Sequence, residues 1–217
     1  VKPDIEFGID WSQVAEESGQ KFVPLIQRHA FCAYYNRGNG TFWHRRERIK
    51  AMWPTYEWHR WNERRLKADC ERKWLIWMGP ASAAKSTDAA VFGIEEWLQA
   101  PDRTAVIVCS TTVKMLRMRI WSQIAHYHQL LPKNLGSVGD LMDSVTRVRW
   151  KPGDDKNGIF GMAIEEGSIE EVINNLIGIH TERVILVLDE MQGIREAIMR
   201  ATSNMVANPF FKMKGMG

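Results

Sequence analysis

Cysteine is scarce in this chain, with only Cys32, Cys70 and Cys109 among 217 residues. The three are odd in number, far apart and form no C-x-x-C pair, which argues against a disulfide framework or a zinc site and fits a reducing compartment. Long apolar runs are missing as well. None approaches the roughly 18 residues that a membrane-spanning helix needs, and the N-terminal segment carries charges where a secretory signal has its apolar stretch. The expectation is a soluble, intracellular protein with no membrane partner. Internal repeats and low-complexity tracts are also lacking, which leaves an ordinary globular fold. No initiator methionine precedes Val1, and Gly217 falls inside an alternating apolar segment, so the sequence reads as a fragment of a longer chain.

What is present suffices for one sizeable α/β domain with some covering structure, since 45% of the residues are hydrophobic and 25% charged. The net charge of +3 is unevenly spread: residues 37–73 hold eleven Lys/Arg against five Asp/Glu, about +6, and the remainder is about −3. Trp43, Trp53, Trp58 and Trp61 are interleaved with this charge. Such a mixture serves either as a solvated helix face with its tryptophans in the core or as a surface for nucleic-acid backbones, and both readings stay open.

Residues 1–36 contain amphipathic pieces but no motif. Asn36 to Gly40 is a turn-rich break, and the charged helical pattern from Thr55 to Arg72 follows Pro54, as expected of proline near a helix start. Residues 1–72 are therefore expected to form a mostly helical N-terminal subdomain. From residue 73 onward short apolar runs alternate with helical stretches, the signature of strand–helix–strand units and a mainly parallel sheet. Strands are expected at Trp74–Met78, Thr104–Cys109 and Phe210–Met216. Helices are expected over Lys85–Trp97 and around Met115, Leu116, Ile120 and Ile124. Alternation in Val145–Trp150 and Ile159–Ile164, on either side of a Pro-Gly-Asp-rich turn, predicts an antiparallel hairpin. Ser168–Glu171 reads as a capping box before a helix that buries Ile169, Val172, Ile173, Leu176 and Ile177. Val184–Leu188 is long enough for a strand buried on both faces.

Two stretches carry chemistry. Gly79, Pro80, Ala81, Ser82, Ala83, Ala84, Lys85 and Ser86 form a loop from a strand into a helix, where unpaired backbone N–H groups and the helix dipole favour phosphate. Gly79 supplies the turn, Lys85 reaches the outer phosphates, and the Ser86 hydroxyl is placed to ligate magnesium, with Thr87 beside it. The departure is Ala84, where the common pattern G-x-x-x-x-G-K-S/T has glycine. About a hundred residues on, Asp189 and Glu190 end the Val184–Leu188 strand, at the sheet edge where ligands of open α/β folds bind. Asp189 is the candidate magnesium holder, and Glu190 the candidate base for an attacking water. Together the two stretches predict nucleoside-triphosphate hydrolysis. His126 and His128, two apart on a helix, make a poor metal pair.

This arrangement resembles the ATPase part of the large terminase subunit of tailed bacteriophages. The resemblance rests on Gly79 to Ser86, on Thr111-Thr112-Val113-Lys114-Met115-Leu116-Arg117, on Leu176-Ile177-Gly178 and on Leu188-Asp189-Glu190-Met191-Gln192, in that order. It implies a P-loop NTPase fold of the additional-strand, catalytic-glutamate type, hydrolysing ATP with Mg2+ to translocate double-stranded DNA into a procapsid. It further implies a homo-oligomeric ring docked on the portal protein in the host bacterial cytoplasm, and a small terminase subunit as partner. The sequence stops where a coupling motif is expected, and nothing in it corresponds to a nuclease domain, so no DNA cleavage is expected of it. By the same resemblance, Arg117 or Arg119 is the candidate charge-stabilising arginine supplied by a neighbouring subunit, and Tyr56 or Trp58 the candidate partner of the adenine ring. Two other readings fit the residues: a helicase-like translocase, since Asp189-Glu190-Met191-Gln192 also fits D-E-x-Q, and an ATP-binding DNA or assembly module without turnover.

Overall fold

A computed structural model describes residues 42–80, 82–131, 139–164, 181–193, 202, 205 and 207–217. The capping box at Ser168 and the Leu176-Ile177-Gly178 segment lie outside the described residues. The described residues open with two helices, α1 (Phe42–Met52) and α2 (Arg60–Glu71). The expected helix from Thr55 is shorter than its charge pattern implied. The His59 N–H donates to Asn62 Oδ1 at 2.8 Å and the Glu63 N–H to the His59 carbonyl at 3.1 Å, so the first helical turn closes at Arg60. Pro54 lies in the connection between the two helices, where its missing N–H breaks no helical bond.

The core begins with β1 (Trp74–Trp77), which leads through the glycine-started loop into α3 (Lys85–Leu98) and then β2 (Thr104–Ser110). Helix α4 (Val113–Leu116) runs through a π-turn over Arg117–Trp121 into α5 (Ser122–Gln129). The wider turn allows the adjacent Ile120 and Trp121 both to be buried. The short strands β3 (Asp140–Met142) and β4 (Arg147–Arg149) precede β5 (Gly158–Ala163), and β6 (Arg183–Leu188) and β7 (Phe211–Met216) complete the sheet.

The seven strands among the described residues lie in the order β1-β7-β6-β2-β5-β4-β3. From β1 through β5 all neighbours are parallel, and β5, β4 and β3 are antiparallel. The expected hairpin is therefore present as β4 and β5, and β5 also pairs with β2; the three-residue β3, too short for a periodic signal, was not foreseen. Strand β7, last in sequence, sits between β1 and β6.

Alternation along the central strands divides the core into two layers. Val106 and Val108 of β2, Ile185 and Val187 of β6 and Trp77 of β1 face α1–α5, together with Phe92, Ile94 and Trp97 of α3. On the other face Ile107, Cys109, Val184, Leu186, Leu188, Phe211 and Met213 form a second cluster with Ile164 and Met205. Burial on both sides explains why β2 and β6 read as unbroken apolar runs. Among the described residues no helix is long and apolar enough to cross a membrane.

Candidate active site

The parallel strands β1, β2 and β6 end on the same edge of the sheet, which brings the loop after β1 to the carboxylates after β6. The loop is tightly built. The Ala83 N–H donates to the Pro80 carbonyl at 3.4 Å, and Ser82 and Ala84 both take the left-handed backbone conformation, with φ of 67° and 54°. For a residue with a Cβ that conformation costs about 1 kcal/mol, so the absence of glycine at position 84 changes the energy of the loop and not its path. Ala84 forms the N-cap of α3, and the Asp88 N–H closes the first turn on its carbonyl at 2.9 Å. The Lys85 ammonium folds back over the loop and donates to the carbonyls of Gly79 and Pro80 at 2.7 and 2.9 Å. Ser86 is half-buried beside it, and the Thr87 hydroxyl donates to Gln123 Oε1 on α5 at 3.1 Å. Ala81 lies outside the described residues.

Asp189 is 4% exposed, and its Oδ2 has no hydrogen-bond partner among the described residues. Burial pushes its carboxyl above the usual range, against the pull of Arg119 and Lys85. The neighbouring Glu190 has φ of 54°, where the chain leaves β6. Glu190 is held by an ion pair with Arg119, by the Gln192 amide donating to its Oε2 at 2.6 Å, and by the Gly193 N–H donating to its carbonyl at 2.8 Å. Lys85, Asp189, Glu190 and Arg119 thus share one neighbourhood, with Arg119 engaged within its own chain. Arg117 turns elsewhere and donates to the Ser144 carbonyl at 2.6 Å. Two residues apart on the helix, the two arginines point in different directions.

Tyr56 is 6% exposed. Its hydroxyl donates to Asp88 Oδ1 at 2.7 Å, and its ring meets the edges of Trp58 and Tyr127, so it braces the first turn of α3 from within the core. Sequence reasoning passed over Ser110. This residue ends β2 beside Asp189, is fully buried, and leaves its hydroxyl without a hydrogen-bond partner among the described residues. The available signal was a hydroxyl at the carboxyl end of an otherwise apolar strand. Ser110 and Asp189 each leave a buried oxygen unpartnered at the carboxyl end of adjacent strands, and with Ser86 they are the oxygen donors that could hold a hard divalent cation such as magnesium. No cluster of three or more His, Cys, Asp or Glu that could ligate a metal by themselves occurs among the described residues.

No family model matches the chain, and no curated protein matches it. Among solved structures it is similar to the crystal structure of the HK97 bacteriophage large terminase, with 12% sequence identity and a TM-score of 0.58; the match covers 79% of this chain and 37% of that one. The chain therefore spans little more than a third of the length of that terminase. At this identity the likeness concerns architecture: the seven-stranded mixed sheet with its flanking helices is a terminase-like fold.

Proposed function

We propose that the chain is the ATPase part of a phage DNA-packaging motor, a P-loop NTPase of the additional-strand, catalytic-glutamate type. The observation that carries this reading is the placement of the Lys85 loop and of Asp189 and Glu190 at one edge of a sheet in which β7 is inserted between β1, which leads into the loop, and β6, which ends at the carboxylates. The terminase-like fold supports it. In this reading the backbone N–H groups of the 79–86 loop, Pro80 having none, cradle the phosphates of ATP. Lys85 leaves the Gly79 and Pro80 carbonyls for the outer phosphate oxygens, trading neutral acceptors for charged ones. Ser86 and Asp189 hold magnesium, which when bound neutralises charge on the phosphates. Glu190, once Arg119 releases it, orients the attacking water and takes its proton. Arg119 is then free to face developing negative charge, in its own site or a neighbour's. Double-stranded DNA, a portal protein, a small terminase subunit and a ring of copies in the host cytoplasm belong to the same proposal.

One feature favours a second reading, ATP binding without turnover: the ion pair that occupies Glu190. A pair of variants separates the two. Glu190→Gln is expected to keep ATP affinity within about twofold and to lose turnover by a factor on the order of a hundred or more. Lys85→Ala is expected to weaken ATP binding in a direct titration. Equal hydrolysis by Glu190→Gln and parent removes Glu190 as the base, and unchanged affinity in Lys85→Ala removes the phosphate loop.

A further inference from the structure

We infer that Arg65, on α2 and outside the loop, is a positioning residue that sets the orientation of the Ala83–Ala84 peptide and thereby offsets the missing glycine at position 84. The inference rests on the phosphate-loop reading and extends it to a residue that no part of that motif contains. Arg65 Nη1 donates to the Ala83 carbonyl at 2.7 Å and pairs with the Asp88 carboxylate. The same guanidinium lies 5.9 Å from the ring centroid of Trp77, the last residue of β1. Its side chain is 12% exposed and that of Asp88 1%. Asp88 is itself fixed by the Tyr56 hydroxyl at 2.7 Å. One cation therefore touches the strand before the loop, the loop, and the helix after it.

The consequence follows from peptide geometry. In a planar trans peptide the carbonyl and the N–H point in opposite directions. With the Ala83 carbonyl drawn toward Arg65, the Ala84 N–H is directed away from α2. Reorienting that peptide would relieve the left-handed conformation at Ala84 (φ 54°, ψ 22°) at the expense of the bond to Arg65. Glycine would hold the same conformation without help. Alanine needs an external clamp, and the only loop-directed cation from α2 seen among the described residues is Arg65. The clamp is well anchored, because Asp69, one turn further along α2, is buried in ion pairs with Arg45 and Lys214.

The test is a coupling measurement on ATP–Mg2+ affinity by calorimetry with the 217-residue chain, which needs no turnover. Arg65→Ala is expected to raise Kd by roughly tenfold, the scale of one lost charge-assisted hydrogen bond. Ala84→Gly is expected to tighten binding by a clearly larger factor in the Arg65→Ala background, where it recovers most of the loss, than in the parent chain. Arg65→Lys, which reaches either Ala83 or Asp88 but not both in the same fork geometry, should fall between. If Arg65→Ala does not fold, Arg65→Met, which keeps the apolar stem against Trp77 but has no donor for the Ala83 carbonyl, takes its place in the cycle. An Ala84→Gly effect that is the same factor in both backgrounds overturns the inference, as does unchanged affinity in the Arg65 variants. Lys85→Ala distinguishes the two levels. If it weakens binding while the Arg65 variants do not, only the clamp is lost; if it too is neutral, the phosphate-loop reading falls and the clamp with it.

Discussion

Asp189 sits in an environment that opposes its own charge. It is the residue after a strand buried from Val184 to Leu188, one of its oxygens is unpartnered among the described residues, and burial raises its carboxyl pKa. A carboxylate held this way destabilises the unliganded fold and is suited to a divalent cation, which restores the lost solvation. Replacing it with the isosteric amide separates the two effects. Asp189→Asn is expected to leave unliganded stability unchanged or raise it by about 1 kcal/mol, a Tm gain of roughly 2–4 °C for a chain of this size. The same change should abolish the magnesium dependence of ATP binding. A large loss of Tm would instead make Asp189 a structural group. Ala84 and Glu190 show a related trade on the backbone: both hold a positive φ without being glycine, and both flank the same edge of the sheet.

Between the elements, the tie that binds α1 and α2 to the sheet is a cluster of buried charges. Arg45 of α1 pairs with Asp69 of α2 at 2.6 Å and with Glu95 of α3 at 2.7 Å, and Arg48 reaches Glu95 at 2.5 Å. Lys212 and Lys214 of β7 each meet Glu96 at 2.5 Å, and Lys214 also meets Asp69 at 3.0 Å. Arg183 lies within the field of Glu96 and Glu95. Burial alone would raise the carboxyls of Glu95 and Glu96, but Arg45 and Arg48 hold Glu95 below its ordinary 4.5, and Lys212, Lys214 and Arg45 hold Glu96 well below it. Burial would lower the Lys214 ammonium, yet Asp69 and Glu96 raise it above 10.5. Depressed carboxyls stabilise the fold above about pH 4.5 and stop doing so as pH falls through their folded values; a raised lysine stabilises it below about pH 10.5 and stops as pH rises beyond. The cluster's contribution is therefore a plateau between those limits. Lys214→Met is expected to cost about 3–5 kcal/mol at neutral pH by urea denaturation, because it leaves Glu96 and Asp69 short of a buried cation. The gap from the parent should shrink as pH falls below about 4.5. A pH-independent gap would assign the loss to packing alone.

This cluster also marks where sequence reading stops. The alternation of Phe211, Met213 and Gly215 with Lys212 and Lys214 predicts a strand, and β7 is there. The same alternation would put both lysines toward water, whereas Lys214 is 1% exposed. Its partner Glu96 is 118 residues away and Asp69 is 145 away, so no local window contains the reason for its burial. Strands β1, β2 and β6 and helix α3 were legible because their signal is local: an apolar run, a period, a loop that starts on glycine. The placement of Lys85, Asp189 and Glu190 at the ends of those runs was legible for the same reason. Arg65, Ser110 and the pairing of Arg119 with Glu190 were not, because each gains its role from an element brought in by the fold.

For the whole molecule, the basic excess of residues 37–73 has to be recounted once its partners are known. Arg45 and Arg48 are spent on Glu95 and Asp69, Arg65 on Asp88 and the loop, and Arg46 on Glu63 between the rings of Trp43 and Trp58. Exposed basic residues in the described part of this stretch are Arg60, Arg64, Lys67, Arg72 and Lys73, and the last donates to the Pro209 carbonyl. Arg60, Arg64 and Lys67 follow one another at helical spacing along α2, with Arg64 lying 5.4 Å from the ring centroid of the exposed Trp61. If this face carries the proposed contact with duplex DNA, only about four cations are available to displace counterions. The logarithm of affinity should then fall with the logarithm of salt at a slope no steeper than about −4, against roughly −10 if all the basic residues of the stretch took part. Changing Arg60, Arg64 and Lys67 together to glutamine should flatten that slope by about 2 to 3 while leaving ATP affinity alone, since none of the three touches the loop. A slope near −10, or one indifferent to the triple change, would move the DNA contact off α2. Trp61 and its basic neighbours would then be left as a solvated helix face, the other reading the composition allowed.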